Sequence, residues 1–209
     1  MLGFCLYVAA ALRVGRHVRA AGRLRALFLA CTLALSSDEL HAQSNAVPIA
    51  LQVELLARLL WYERTLQKTT DKSLGLLIVQ WPQDPESART VDQLTAQLAR
   101  TQDLGGKSFE PTVVRYESAA QLARLAEQQR PYLIYFSRGL GRDAVELAQV
   151  LRGRALLTVS AESNDVAQGI VLGFELASSK PRILLHLAQA RAQQLDFSAQ
   201  FLRVVRVLP

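Results

Sequence analysis

Beyond residue 42 this chain of 209 residues has no cysteine and only one histidine, His186. Cys5, Cys31, His17 and His41 all fall before that point. Zinc centres are built from several Cys and His ligands and thiol catalysis needs a Cys, so the part after residue 42 can do neither in the usual way. It also has no disulfide, which leaves its stability to a buried core. A chain that is 50% hydrophobic can supply one. Charge of one sign is scarce as well. Of the formal +6, the first 42 residues contribute Arg13, Arg16, Arg19, Arg23 and Arg25 against Asp38 and Glu39, and the rest carries 19 basic and 16 acidic residues. That balance, without a clustered basic face, gives no case for nucleic acid. No Gly-x-Ser-x-Gly nucleophile elbow occurs, so a hydrolase triad would have to recruit His186 without one.

What the first 42 residues do contain is a leader. From Arg23 the chain reads RLRALFLACTLALSSDELHAQS: a basic stretch, an apolar run from Ala26 to Leu35, then a polar stretch closing on a small residue. That order is the signature of a secretory signal peptide, and cleavage is expected after Ala42. The apolar run is about half of the roughly 20 residues needed to span a bilayer, as is the earlier run Leu2 to Leu12. The reading is therefore a signal peptide over 1–42 and one domain over 43–209, exported to the periplasm.

After the leader, strand and helix patterns alternate. Asn45 and Pro48 open an amphipathic helix with Leu51, Leu55, Leu59 and Tyr62 at helical spacing and Glu54 paired with Arg58 on the outer face. SLGLLIVQ, 73–80, is a continuous apolar run, as expected for a strand covered on both faces. A helix follows with a stripe of Ala88, Val91, Leu94 and Leu98. PTVVRYE predicts a second strand, and Ser118 with Gln121 predicts a capped helix carrying Leu122, Leu125 and Ala126. YLIYFS, a helix from Asp143 through Leu151, and ALLTVS at 155–160 repeat the unit. GIVLGFEL and ILLHL, linked by ASSKPR, predict an antiparallel hairpin. Two short helices then close the chain, the last capped by Ser198. The fold class is α/β, a three-layer sandwich with a mostly parallel central sheet and the antiparallel C-terminal hairpin on one edge.

Few motifs carry chemistry. Gly105-Gly106-Lys107-Ser108 ends like a phosphate-binding loop, but Thr101 stands where that motif needs Gly, and the segment leaves a helix for a strand; a left-handed helix stop explains it. Arg138-Gly139-Leu140-Gly141-Arg142 lies between a strand and its helix, where open parallel sheets bind ligands. A tight turn accounts for the glycines; Ser137, Arg138 and Arg142 are the candidate ligand or partner contacts. His186, alternating with apolar neighbours on a strand, is a fourth candidate contact, although a lone histidine in that setting more often packs or hydrogen-bonds. Trp61, Tyr62 and Trp81 could form a contact surface; core packing is expected of at least two. No catalytic, metal or cofactor constellation is expected.

The last 50 or so residues resemble the YfiR family of periplasmic proteins, also called YfiR/HmsC-like. The resemblance rests on Thr158, Val159 and Ser160 at the end of a strand; Gly169, Gly173 and Phe174; Leu187, Ala188 and Ala190; and Leu195 to Ser198. In outline it covers residues 47 to 208. The chain departs from the family in its Trp61-Tyr62-Glu63, in Gly169 standing where a Gly-Gly pair is common, and in His186 at a position often Asn. The resemblance implies a periplasmic, non-catalytic regulator that binds the periplasmic part of a membrane-bound diguanylate cyclase and holds it inactive, lowering cyclic di-GMP and biofilm formation. A homodimer is implied by the same analogy. The alternative is a periplasmic small-molecule-binding protein resembling one lobe of a solute receptor, and an enzyme with a site around Ser137 to Arg142 ranks last.

Overall fold

SLGLLIVQ forms β1 (Ser73–Gln80), and its bounds are those the apolar run marks out. The computed structural model describes residues 46–209, so the expected leader lies outside the described residues. Strand β1 is paired on both sides, by β2 (Ser108–Arg115) and β3 (Leu133–Phe136), all parallel. Next come β4 (Leu157–Ser160), parallel to β3, and β5 (Leu172–Ala177), parallel to β4. Strand β6 (Lys180–His186) returns antiparallel to β5, and β7 (Arg206–Leu208) lies parallel to β6. The seven-stranded sheet has the order β2-β1-β3-β4-β5-β6-β7.

Among the described residues, eight α-helices connect and cover these strands: α1 (Ile49–Leu59), α2 (Arg64–Lys68), α3 (Pro85–Leu98), α4 (Ala119–Gln129), α5 (Asp143–Val150), α6 (Asn164–Ala167), α7 (Leu187–Ala192) and α8 (Ala199–Leu202). Alternation along the strands feeds two cores. Leu76, Ile78, Leu133, Tyr135, Leu157 and Val159 meet Leu56 and Leu59 of α1, Leu94 of α3 and Phe201 of α8. Leu77, Val79, Ile134 and Phe136 point the other way, onto Leu122 of α4 and Leu147 of α5. Helices thus cover both faces of a mostly parallel sheet, the α/β arrangement expected. No described helix is long and apolar enough to cross a membrane.

The structure redraws several local expectations. In α1 the buried positions are Gln52, Val53, Leu56 and Leu59, while Leu51 and Leu55 are half-buried. Gln52 is inside because its side chain donates to Val47 O at 2.8 Å and accepts from the buried Tyr135 hydroxyl at 2.7 Å, a satisfied polar pair within the core. Ser87 and Thr90 join the buried face of α3, with Ala88 half-buried. Strand β2 starts at Ser108, earlier than PTVVRYE implies. The hairpin strands run into the ASSKPR link, leaving only Ser178 and Ser179 as the turn, both left-handed at φ 50 and 63. Strand β7 extends the sheet beyond the hairpin where a helix was expected to continue. Gly105 and Gly106 are left-handed, yet they form a turn closed by the Leu104 and Lys107 bridge rather than a helix stop. Lys107 Nζ is spent on the backbone carbonyls of Thr69 and Asp71.

Candidate functional site

The strand order reverses between β1 and β3, since β1 connects outward to β2 and the chain then returns to β3. In an open parallel sheet, the C-terminal ends of the strands at such a point form the usual ligand crevice. Here the first residues after β1 are Trp81-Pro82-Gln83-Asp84. Asp84 caps α3 by accepting from Glu86 N at 2.9 Å, and Pro85 suits the first turn. After β3 comes Ser137, which is fully buried. Its hydroxyl donates to Val79 O at 2.7 Å and meets Ser87 Oγ at 2.5 Å, and Ser87 Oγ accepts from Trp81 N at 2.8 Å. This chain of hydroxyls stitches the end of β1, the start of α3 and the end of β3 together. Ser137 therefore orders the loop from behind and presents no hydroxyl to solvent.

Above this stitch the crevice is filled. The Trp81 ring stacks on Tyr116 with centroids 4.4 Å apart and tilts against Phe136 at 6.4 Å. Gly139, at φ +99, brings the loop so close that a Cβ there would stand 3.2 Å from both Asp84 Oδ2 and Trp81 Cγ. Only glycine adopts that backbone freely. The Tyr116 phenol is held well above its usual range, first by burial and then by the Asp143 and Glu146 carboxylates. The result is a rim of stacked aromatic rings and closely approaching loop backbone.

The charged groups sit on that rim. Arg138 Nε lies 3.3 Å from Glu162 Oε1, and its NH1 lies 3.9 Å from Glu86 Oε2. Arg138 thus bridges the start of α3 and the loop after β4. Arg142, exposed at the start of α5, makes no ion pair among the described residues. Behind Glu162, Ser160 Oγ donates to the buried Asp165 carboxylate at 2.5 Å and accepts from Glu162 N at 3.0 Å. Burial, reinforced by the nearby Glu162 charge and opposed by the Ser160 hydrogen bond, pushes the Asp165 carboxyl up to about 6.

His186 is not part of this edge. It ends β6, which runs antiparallel to β5, so it lies where the parallel strands begin, opposite Ser137, Arg138 and Arg142. Its Nδ1 accepts from Gln189 N at 3.2 Å and caps α7. Burial holds its pKa below the usual histidine value, and the Arg152 charge acts in the same direction. The structure therefore brings three of the four candidate residues to one loop and leaves the fourth at the far edge.

Sequence reasoning missed Glu63, which is fully buried. Its Oε1 accepts from Thr65 N at 3.0 Å and Asp196 N at 2.9 Å, and its Oε2 accepts from Leu66 N and from the Tyr132 hydroxyl. Among the three aromatics, Trp81 is half-buried, while Trp61 is 58% exposed and Tyr62 36% exposed. Core packing therefore claims fewer of them than expected. Tyr62 still stacks on Phe201 at 6.0 Å.

No curated protein matches the sequence. Among solved structures, a conserved domain protein from Vibrio cholerae is similar at 11% identity and a TM-score of 0.51, over 77% of this chain and 60% of that one. A ligand-free, open substrate binding protein with adhesive properties from Clostridium difficile matches at 10% identity and TM-score 0.55, over 78% and 60% of the two chains. An ABC domain in complex with L-Trp from Streptococcus pneumonia matches at 11% identity and TM-score 0.54, over 77% and 62%. These identities speak to fold alone, and the chain spans about 60% of the length of each of those proteins. The sequence also matches a family model over residues 76–206, from within β1 to the first residue of β7, and on that match the chain belongs to the YfiR/HmsC-like family.

Proposed function

We infer that this protein is an exported regulator that represses a membrane-bound diguanylate cyclase by binding its periplasmic part. The observation that carries this reading is the family match over 76–206. The filled crevice supports it, because Trp81 and the Gly139 loop occupy the place where an open parallel sheet would admit a small molecule. What that edge offers is a firm surface bearing Arg138 and the unpaired Arg142, suited to a macromolecular partner. Repression requires only that the regulator bind the inactive state of the cyclase more tightly than the active one, and no chemical step is involved. The proposal includes removal of residues 1–42 on export, a domain over 43–209, a periplasmic location and self-association into a dimer.

Deletion of the gene tests it. Cellular cyclic di-GMP and surface-attached biomass should both rise and should fall again on complementation with the exported protein. Unchanged cyclic di-GMP would end this reading.

The likeness of fold to a substrate binding protein and to an ABC domain in complex with L-Trp favours a second reading, a periplasmic binder of small molecules built on one lobe. A ligand at a hundredfold excess over its Kd would stabilise the folded state by about 2.7 kcal/mol, so a thermal-shift panel of metabolites separates the readings.

A further inference from the structure

The far edge of the sheet carries a second basic feature, on loops the repressor reading does not use. Arg130 ends α4 just ahead of β3, and Arg154 lies just ahead of β4. Both line one cavity of about 280 Å³, walled by the apolar Pro131, Ala155 and Leu156. The loops that carry them are clamped to one another and to the sheet: Leu157 N donates to Tyr132 O at 2.7 Å, and Tyr132 N donates to Gly75 O at 2.9 Å. Two arginines thus stand on adjoining loops that open onto one cavity.

Neither arginine has a close carboxylate partner among the described residues. The Nε of Arg154 is buried and has no hydrogen-bond partner among the described residues. A buried donor in that state has lost water without gaining an acceptor. Its one ion pair is a 3.9 Å approach to Glu127, whose side chain is 72% exposed. Arg130 makes no ion pair among the described residues and stands in the left-handed region at φ 47, ψ 51, where a helix end ordinarily has glycine. Two arginines against the single carboxylate of Glu127 line this cavity, which gives its lining a net positive charge suited to an anion.

We propose that this cavity binds a phosphate group, bare or as a small phosphate ester, between Arg130 and Arg154. A carboxylate is filled by a single guanidinium fork, whereas a tetrahedral phosphate has oxygens for two forks arriving from different loops. The apolar walls suit a small organic body behind the phosphate. Glu127 is the carboxylate that the incoming anion displaces from Arg154. The site stands independently of the repressor reading.

Isothermal titration calorimetry of the purified protein with inorganic phosphate, sn-glycerol 3-phosphate and glycerol tests the site. Flotation with phosphatidylglycerol or phosphatidylcholine vesicles asks whether the phosphate belongs to a lipid headgroup. Saturable binding of the phosphates but not of glycerol is expected, weakened roughly ten- to a hundredfold by Arg154→Gln and by Arg130→Gly. Glycine accepts the left-handed backbone, so the Arg130→Gly variant should keep or raise the melting temperature and cannot lose binding by unfolding. Binding confined to phosphatidylglycerol vesicles and lost in both variants assigns the site to a headgroup. No binding in either arm, or binding that both variants retain, overturns the proposal.

Discussion

The Tyr132 hydroxyl donates to the fully buried carboxylate of Glu63, a contact between residues 69 apart in sequence. With Thr65 N, Leu66 N and Asp196 N, four donors converge on that one carboxylate. Burial of the Tyr132 phenol, with the Glu63 charge beside it, holds the phenol well above its usual range. Glu63→Gln turns an NH2 group toward donors and is expected to cost about 3 kcal/mol or more, whereas Tyr132→Phe removes one bond and costs about 1.5 kcal/mol. Urea unfolding of both variants measures the difference.

Asp165 gives stability an unusual slope with pH. Its folded value, about 6, lies above the ordinary aspartate value of 3.8, so the folded state binds the proton more tightly. Its contribution is fully present below pH 4, declines as pH rises to about 6 and is lost above. Asp165→Asn should abolish that slope and stabilise the protein by about 2 kcal/mol at pH 7. Thermal melts of the two proteins from pH 4 to 8 check this.

His186 slopes the opposite way. Its folded pKa is lowered, so folding favours the neutral ring, and stability is lost as pH falls through the usual histidine value. His186→Asn keeps an acceptor for Gln189 N and should flatten the acid slope at little cost. His186→Ala should lose about 1 kcal/mol of cap energy at pH 7. The same melts report both.

Gly169 stands at φ +108, and a Cβ there would meet Ala148 Cβ at 2.7 Å. Gly169→Ala is therefore expected to destabilise by about 2 kcal/mol or more, through backbone strain and through forcing the turn before β5 away from α5. Denaturant midpoints give the value.

On the opposite rim the expectation is loss of function without loss of fold. The ion pairs of Arg138 are solvent-exposed and contribute at most about 1 kcal/mol. Arg138→Ala combined with Arg142→Ala should melt within a few degrees of the parent and raise cellular cyclic di-GMP toward the level of the deletion strain. Full repression by the double variant would place the cyclase contact elsewhere.

How far the sequence foretold this depends on what marks each residue. Strand β1 is legible because its apolar run is continuous and is bounded by Lys72 and Trp81-Pro82. Ser118 and Ser198 are legible as caps, and both accept the expected backbone bond. The buried face of α1 is hidden in the sequence because Gln52, a polar residue, is buried to meet Tyr135. Glu63 is hidden for the same reason, since a carboxylate reads as solvated until its donors from distant segments are known. Strand β7 has three residues and little burial, and no periodicity can show in so short a run. At the rim, the loop position of Arg138 and Arg142 was legible from the strand-to-helix order. The Ser87 and Ser137 stitch was not, because it joins hydroxyls 50 residues apart.

The clasp between Glu63 and Asp196 spans 133 residues. The Glu63 carboxylate does not gain its full set of donors until nearly all of the chain has been delivered, because Asp196 N arrives last. Collapse of the N-terminal half by itself is thereby penalised, and the contact forms only after the slow closure of a long loop. A polypeptide with this arrangement completes the Glu63 site only when its far end has been delivered.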